Sequence, residues 1–519
     1  MAGHQQIPIE QPLDVGSQRS VSSVNWYADH GYNHRTTTRV QPLVCGQKAF
    51  EDVATALNNA RHSINMAFWG LDPAMVLVRN GDGTYDRENI LCEILMKKGA
   101  VEGLTVRTAN WDPRINSQFL TLTEQHNWGD YESFTERHDT MLHVQLPNMS
   151  QYVKTGSYHQ KTIIVDVEDP ETATAFIMGH NMLGAYWDTT DLLPHDSRRG
   201  LRLKIGRLYD VPSQNTYSSE SKDKGPLFDV SCQVWGGAVI DVYHNFERSL
   251  KSKGHAVTPA SSALSAAAFS TQDRPALMSQ VAATFPEADP PETSIRQQYF
   301  NLITKANKYV FFLNQYFRDP DLTDEIIAEL KKRGIPEKKK LPLIFVTNTF
   351  EGKFLEEGHD TMVLKKFRDA GIPISLARLV TPHTLNRREI KVHAKVLIVD
   401  DAIYSIGSAN YNIRSMVADP EINITVLEPS KAEGLRKELL NMIIGSPMDK
   451  LVDVADYANL EEAGYNEWLK DLTKNDELYN KGKSFNKGRA ITYTPTGWRG
   501  VLPTRFAQAD DIVPNTTVT

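Results

Sequence analysis

The chain has 519 residues, more than one hydrophobic core normally supports, so two domains or two fused halves are expected. Its 40% hydrophobic and 23% charged residues describe an ordinary globular protein, and a net charge of −7 argues against a protein that coats nucleic acid. Three widely spaced cysteines (Cys45, Cys92, Cys232) offer neither a disulfide framework nor a zinc site. The absence of any run of about 18 uncharged apolar residues excludes a transmembrane helix.

Residues 1–44 are polar and rich in Gln, Ser and Thr, with no apolar stretch of signal-peptide type, and read as an N-terminal extension. Periodicity begins at Ala49. Phe50, Val53, Ala54, Leu57 and Ala60 have helical spacing, and Ser63 to Trp69 reads as a strand that stops at Asp72-Pro73. A helix from Ile90 to Lys98 and a strand from Leu104 to Arg107 continue an alternation that is α/β in character. The stretch from Trp111 to Tyr152 is less periodic; Trp111, Phe119, Trp128, Tyr131 and Phe134 either cover the core or wall a pocket. Then come His159-Gln160-Lys161, the apolar run Thr162 to Val165, Asp166, and the turn Met178-Gly179-His180-Asn181. Asp229 to Val234 alternates as a strand, and a helix around Val239 to Leu250 closes a first half spanning 45–253.

Residues 254–290, rich in Ala, Ser, Thr and Pro, read as a linker or a long surface loop. The organisation then restarts over 291–445. Tyr299, Leu302, Ile303 and Ala306 repeat the helix, Tyr309 to Leu313 repeats the strand, and Asp319-Pro320 repeats the stop. Strands follow at Leu343 to Thr347 and Ile374 to Leu376, with a helix from Met362 to Ala370 between them. Glu421 to Val426 matches Asp229 to Val234 in position and alternation, which completes the signs of an internal duplication. Residues 446–519 read as a C-terminal extension with a helical piece from Leu460 to Leu472 and a disordered tail after Gln508.

The second half carries His393-Ala394-Lys395, four residues, Asp400, six residues, and Gly407-Ser408-Ala409-Asn410. On a strand the period of two puts His393 and Lys395 on one face. An imidazole, an ammonium, an amide and a small turn suit a phosphodiester. The first half repeats the spacing His-x-Lys-x4-Asp with His159, Lys161 and Asp166. This pair of motifs resembles the signature of the phospholipase D superfamily. The first copy departs from it in a longer link after Asp166 and in Met178, where the family has Gly or Ser.

The resemblance implies an α/β fold of two fused α/β/α sandwich halves related by pseudo-twofold symmetry, with the active site at the seam. It implies covalent catalysis, in which one histidine attacks phosphorus and the other gives its proton to the leaving alcohol. Carried over, His159 is the nucleophile and His393 the general acid and base, and symmetry leaves the reverse assignment open. Lys161 and Lys395 hold the phosphate oxygens. Asn181 and Asn410 donate to the same oxygens, with Gly179 and Ser408 in the binding turns. Asp229 and Glu421 match the carboxylates that orient the histidines, Glu421 being expected on His393. Asp166 and Asp400 serve structurally at the strand ends. No metal or cofactor is implied.

Other charged groups read as ordinary. His138, His143, His180 and His195 are expected as surface or packing residues, and Arg198-Arg199 and Arg387-Arg388 as solvated pairs. Three stretches narrow the resemblance to phospholipases D of eukaryotic type: Gly407 to Met416 followed by Asp419-Pro420-Glu421-Ile422; Tyr186-Trp187-Asp188-Thr189; and Leu313-Asn314-Gln315-Tyr316-Phe317, with Leu313 in place of Glu. The implied reaction is hydrolysis of the distal phosphodiester of a glycerophospholipid at a membrane surface, giving phosphatidic acid and free headgroup. Nuclease action and phosphatidyl transfer use the same chemistry and stay open, although no stable nucleic-acid partner is expected. Lacking a lipid-binding module before its core, the chain looks like a compact bacterial enzyme, soluble and either cytoplasmic or exported by a route that reads no signal. Some such enzymes are effectors of type VI secretion, which would add secretion-apparatus and immunity-protein partners.

Overall fold

In the computed structural model the described residues are 10–15, 18–23, 25–112, 141–147, 157–201, 225–252, 254–269, 275–338, 340–348, 356–385, 387–449, 451 and 464–493. A hairpin of β1 (Glu10–Val15) and β2 (Gln18–Ser23) comes first. The first half follows: β3 (Thr38–Val44), α1 (Gly46–Asn59), β4 (Ser63–Phe68), α2 (Leu91–Gly99), β5 (Thr105–Asp112), β6 (Met141–Pro147), β7 (Thr162–Val165), β8 (Thr174–Ile177), β9 (Leu227–Phe228), β10 (Val230–Gly236) and α3 (Ala238–Lys251). The second half opens with β11 (Met278–Phe285), β12 (Glu292–Thr293), α4 (Ser294–Lys305), β13 (Val310–Asn314), β14 (Phe317–Arg318), α5 (Pro320–Lys332), β15 (Leu343–Val346), α6 (Glu356–Asp369) and β16 (Ile374–Val380). It ends with β17 (Glu389–Val392), β18 (Lys395–Val399), β19 (Ile403–Gly407), β20 (Tyr411–Asn412), α7 (Ile413–Val417), β21 (Glu421–Leu427) and α8 (Pro429–Ile444). Last come α9 (Gly464–Asn480) and β22 (Ala490–Thr492).

The first sheet runs β3-β10-β8-β7-β4-β5-β6, and the second contains β11-β21-β19-β18-β13-β15-β16. Element for element these orders are the same. Strand directions agree too, with β4, β5 and β6 parallel like β13, β15 and β16, and the remaining pairs antiparallel. The duplication visible in the sequence is therefore a duplication of topology.

The strands β7, β13, β15, β18 and β19 are buried along their whole length, as expected of apolar, β-branched runs covered on both faces. One core lies between the sheets, where Val239, Val242 and Phe246 of α3 and Leu435, Leu439 and Ile443 of α8 meet Ile164, Val234, Val396 and Ile424. Outer cores place α1 and α2 on the first sheet and α4, α5 and α6 on the second. The sheets are also joined by main chain, because β9 pairs in parallel with β17, Leu227 opposite Lys391 and Phe228 opposite Val392.

The motif aspartates mark equivalent corners. Asp166 (φ 54°) accepts from the N–H groups of Arg61, His62 and Ser63, and Asp400 (φ 59°) from those of Asn307, Lys308 and Tyr309. Each carboxylate thus ties the end of its motif strand to the start of the neighbouring one. Asp is among the few residues that tolerate the left-handed backbone this needs.

Two stretches differ from the sequence reading. The supposed extension 1–44 contains β3, an edge strand of the first sheet, and Trp26 and Tyr27, which are buried in the outer core of the second half. The supposed linker 254–290 contains β11, whose Ser279, Ala282, Ala283 and Thr284 are buried. In β3 the buried Val40, Leu43 and Val44 are interrupted by Arg39, Gln41 and Pro42, and in β11 the buried Val281 stands among small and polar residues, so neither run alternates cleanly. Residues 464–493 belong to the second half: β22 pairs with β16, and Trp468 Nε1 donates to Ser375 Oγ (2.9 Å). The side chains of Trp111, Phe119, Trp128, Tyr131, Phe134, His138 and His143, and the tail after 493, lie outside what is described. Among the described residues no helix is long and apolar enough to cross a membrane.

Candidate active site

His159 and His393 sit just before β7 and β18, where each chain enters its sheet from the seam. Their main chains are held by the opposite half. His159 N–H donates to Pro420 O (3.1 Å) and His393 N–H to Phe228 O (2.8 Å), so each bonds the residue immediately before a buried carboxylate. The side chains repeat the exchange. His159 Nδ1 lies 2.7 Å from Glu421 Oε1, and His393 Nδ1 lies 2.7 Å from Asp229 Oδ2. The expectation that Glu421 would serve His393 is corrected: it serves His159, and Asp229 serves His393. Spacing along one half cannot reveal this, because the partner arrives from the facing sheet.

The two dyads are built differently around the carboxylate. Glu421 also accepts from Ser408 Oγ (2.5 Å) and Ser415 Oγ (2.6 Å). Asp229 accepts from its own neighbour's N–H, that of Val230 (2.8 Å). In strand register Thr162 faces Ile177 as Val396 faces Ile406, so Gly179 occupies the place of Ser408. A Cβ on Gly179 would fall 2.2 Å from Asp229 Oδ1 and 2.5 Å from Val230 O. Glycine is needed there so that Asp229 can approach. The structure therefore sets both Gly179 and Ser408, expected as phosphate contacts, against the carboxylates.

Lys161 Nζ donates to His159 O (2.7 Å); Lys395 Nζ donates to Gln315 Oε1 (2.9 Å) and to the main-chain oxygen of His393. Asn181 Oδ1, both polar side-chain atoms of Asn410 and Nε2 of His393 are buried without a hydrogen-bond partner. Such groups are uncommon in folded proteins, and a cluster of them marks a place that a polar ligand can fill. Ring edges complete the wall, Tyr186 against His393 (4.9 Å between centroids) and Trp69 against His159 (6.5 Å).

Burial governs the electrostatics. It holds both imidazoles well below the usual histidine range, with Lys161 and Lys395 adding to the effect, so both rings are neutral without an anionic ligand. Burial also lowers Lys161 to about 8 and holds Lys395 well below the usual lysine range. It raises Glu421 to about 7 against the opposing pull of Lys161 and the two serine hydroxyls. Protons in this cluster belong to coupled groups rather than to single residues. Neutral imidazoles, lysine side chains and the unpartnered amide N–H of Asn410 are the equipment for displacement at an anionic phosphorus centre.

Sequence reasoning missed Gln315, Ser415, Tyr186 and Trp69. Gln315, Ser415 and Tyr186 lay in stretches already singled out, but nothing in linear spacing gave them a task. Arg199, expected to be solvated, is 2% exposed and paired with buried Asp188 (Nε to Oδ2, 3.0 Å), whereas Arg198 pairs with Asp196 (2.7 Å). Arg387 lies over the rings of Tyr479 and Phe485, and Arg388 donates to Pro194 O (3.1 Å). His180 is a packing residue against Phe50, its Nδ1 2.7 Å from Ser231 Oγ.

Comparison with known proteins agrees with this geometry. A family model described as Phospholipase D matches residues 56–289, and one described as Cardiolipin synthase, PLD-like domain matches residues 299–443. Phospholipases D alpha 3 and alpha 4 of Arabidopsis thaliana are each 24% identical to this chain, over 80% and 78% of it. The chain spans 64% of the length of either relative. The crystal structure of phosphatidylserine synthase from Haemophilus influenzae superposes with a TM-score of 0.50 at 14% identity, covering 86% of this chain and 95% of that one. With two matching halves, one shared strand order and a histidine–lysine pair at each entry to the seam, the chain belongs to the phospholipase D superfamily and has its fold.

Proposed function

We propose that this protein is a phospholipase D that hydrolyses the distal phosphodiester of glycerophospholipids through a phosphohistidine. The observation that carries the reading is the crossed pair of dyads. Each Nδ1 is fixed by a carboxylate from the other half. The reading assigns the chemistry on both rings to the other nitrogen, Nε2, which in His393 is buried without a hydrogen-bond partner.

In the first step Nε2 of neutral His159 attacks phosphorus, and the bond to the headgroup oxygen breaks as His393 gives that oxygen its proton. The anionic substrate raises the proton affinity of His393, which supplies the acid form. In the second step water gives a proton to His393 and its oxygen displaces His159, releasing phosphatidic acid. Lys161 and Lys395 balance the charge that grows on the phosphoryl oxygens, and the unpartnered Nδ2 of Asn410 donates to the same oxygens.

Purified protein is incubated with phosphatidylcholine, phosphatidylethanolamine or plasmid DNA, with and without EDTA. Free headgroup and phosphatidic acid are expected, with activity retained in EDTA and lost in His159→Ala and His393→Ala. DNA nicking without headgroup release would overturn the lipid reading. The match of residues 299–443 to the cardiolipin synthase model favours transfer as the second reading. Added glycerol or ethanol would then convert the product from phosphatidic acid to a phosphatidyl alcohol.

A further inference from the structure

The two histidines enter the seam on different supports. Ahead of His393, β17 is laddered to β9: Lys391 N–H donates to Pro226 O (2.9 Å), and Lys391, two residues before the histidine, faces Leu227, two residues before Asp229. Ahead of His159 the described residues are Ser157 and Tyr158, and the residue facing this approach is Pro420, which has no N–H to donate. A buried side-chain clamp holds the register here. Ser157, two residues before His159, donates its N–H to Asp419 Oδ1 (2.8 Å) and its hydroxyl to Asp419 Oδ2 (3.2 Å). Asp419 is two residues before Glu421. Arg414 grips the same carboxylate from Nε (2.9 Å) and Nη2 (3.0 Å), and its Nη2 also reaches Ser157 Oγ (3.1 Å). Ser157, Arg414 and Asp419 are 4%, 5% and 3% exposed, so no water competes for these bonds.

We propose that Asp419, held by Arg414, is the positioning residue of the His159–Glu421 dyad: it fixes the main chain two residues before the histidine to the main chain two residues before its carboxylate. The chain at Ser157 thereby acquires a rigid register across the seam. Geometry alone sets the 2.7 Å contact of the dyad, and the clamp governs that geometry. The charged and titratable groups acting on His159 are Glu421, Lys161, Lys395, Asp419, Arg414 and His393. Loosening the clamp therefore alters both where the ring sits and the field it feels.

The activity arm of the test rests on the phosphodiester reading above, so a second arm does not. In Asp419→Asn, kcat is expected to fall about 10- to 100-fold, as for other residues that orient a functional histidine. KM should stay within about twofold and the limb of the pH–rate profile belonging to the His159 dyad should move. Arg414→Lys, which keeps the charge but loses the fork, should give an intermediate fall. In the second arm, imidazole NMR of histidine-labelled protein follows each ring. The nitrogen shifts and titration of His159 should change in Asp419→Asn while those of His393 stay in place. A wild-type protein that turns over no phosphodiester would sink the functional reading and leave the NMR comparison intact. Unchanged His159 signals in folded Asp419→Asn and Arg414→Lys would overturn the clamp, as would a fall in activity accounted for by a smaller folded fraction.

Discussion

Glu421, at the first position of β21 in the second half, lies 2.7 Å from Nδ1 of His159 in the first. Its substitution is therefore felt by the nucleophile candidate rather than by the acid–base candidate. Glu421→Gln should slow formation of the phosphohistidine by about 10- to 100-fold, with the His393-dependent hydrolysis of that intermediate less affected. Rapid-quench measurement of the two steps checks this; a defect confined to hydrolysis would contradict it.

The same residue makes stability depend on pH. Burial raises the Glu421 carboxyl to about 7 from an ordinary value of 4.5, so the folded state binds more protons than the unfolded state between those values. Its stabilising contribution is complete below the unfolded value and is lost as pH rises through about 7. Glu421→Gln removes the titration. Its melting temperature should gain on that of the wild type as pH goes from 5 to 8, read by calorimetry across that range (about the window linkage sets).

Lys161, lowered to about 8, should set an alkaline limit to catalysis. As pH rises through that value the ammonium loses its proton and, with it, the charge offered to the phosphate. The profile of kcat/KM, which reports the free enzyme, should fall there. Lys161→Arg keeps its charge at high pH, so whatever activity it retains should extend to higher pH.

Gly179→Ala tests the approach of Asp229. The added Cβ meets a carboxylate oxygen at 2.2 Å and a main-chain oxygen at 2.5 Å. Overpacking of this kind destabilises by about 1–3 kcal/mol. Displacement of Asp229 should also lower kcat through His393, and the pH–rate limb assigned to that dyad should shift in the folded variant.

Asp166→Ala should separate stability from catalysis. It leaves three N–H groups without their acceptor, and of the three residues only Ser63 is buried. A loss of about 1–3 kcal/mol is expected from the buried donor. The urea midpoint should drop while activity per folded molecule stays near that of the wild type.

What could be read without coordinates was what is local. His159, Lys161 and Asp166, like His393, Lys395 and Asp400, stand at fixed steps along one strand, and a step along a strand fixes a side of the sheet. Asn181 and Asn410 follow one strand later, after β8 and β19, still within reach of a sequence pattern. Which carboxylate meets which histidine is a property of two sheets facing each other, and no spacing within either half encodes it. Ser415 and Asp419 were visible as residues of a familiar stretch, yet their partners lie on Glu421 and across the seam at Ser157. The strands β3 and β11 were obscured for a different reason: Arg39, Gln41 and Pro42 interrupt the apolar residues of the first, and small and polar residues make up most of the second, so neither shows a clean apolar pattern. Arg199 went below the surface because Asp188 was already there to receive it.

The pairing of β9 with β17 places two residues of the N-terminal repeat at the edge of the C-terminal repeat's sheet. Neither repeat can then reach its final form alone, since one would leave an unsatisfied edge and the other a dangling ribbon with Asp229 at its end. Thermal denaturation should accordingly be a single event, and the two repeats expressed as separate polypeptides should regain function only by reassociating. The joint thus makes the two repeats one cooperative unit.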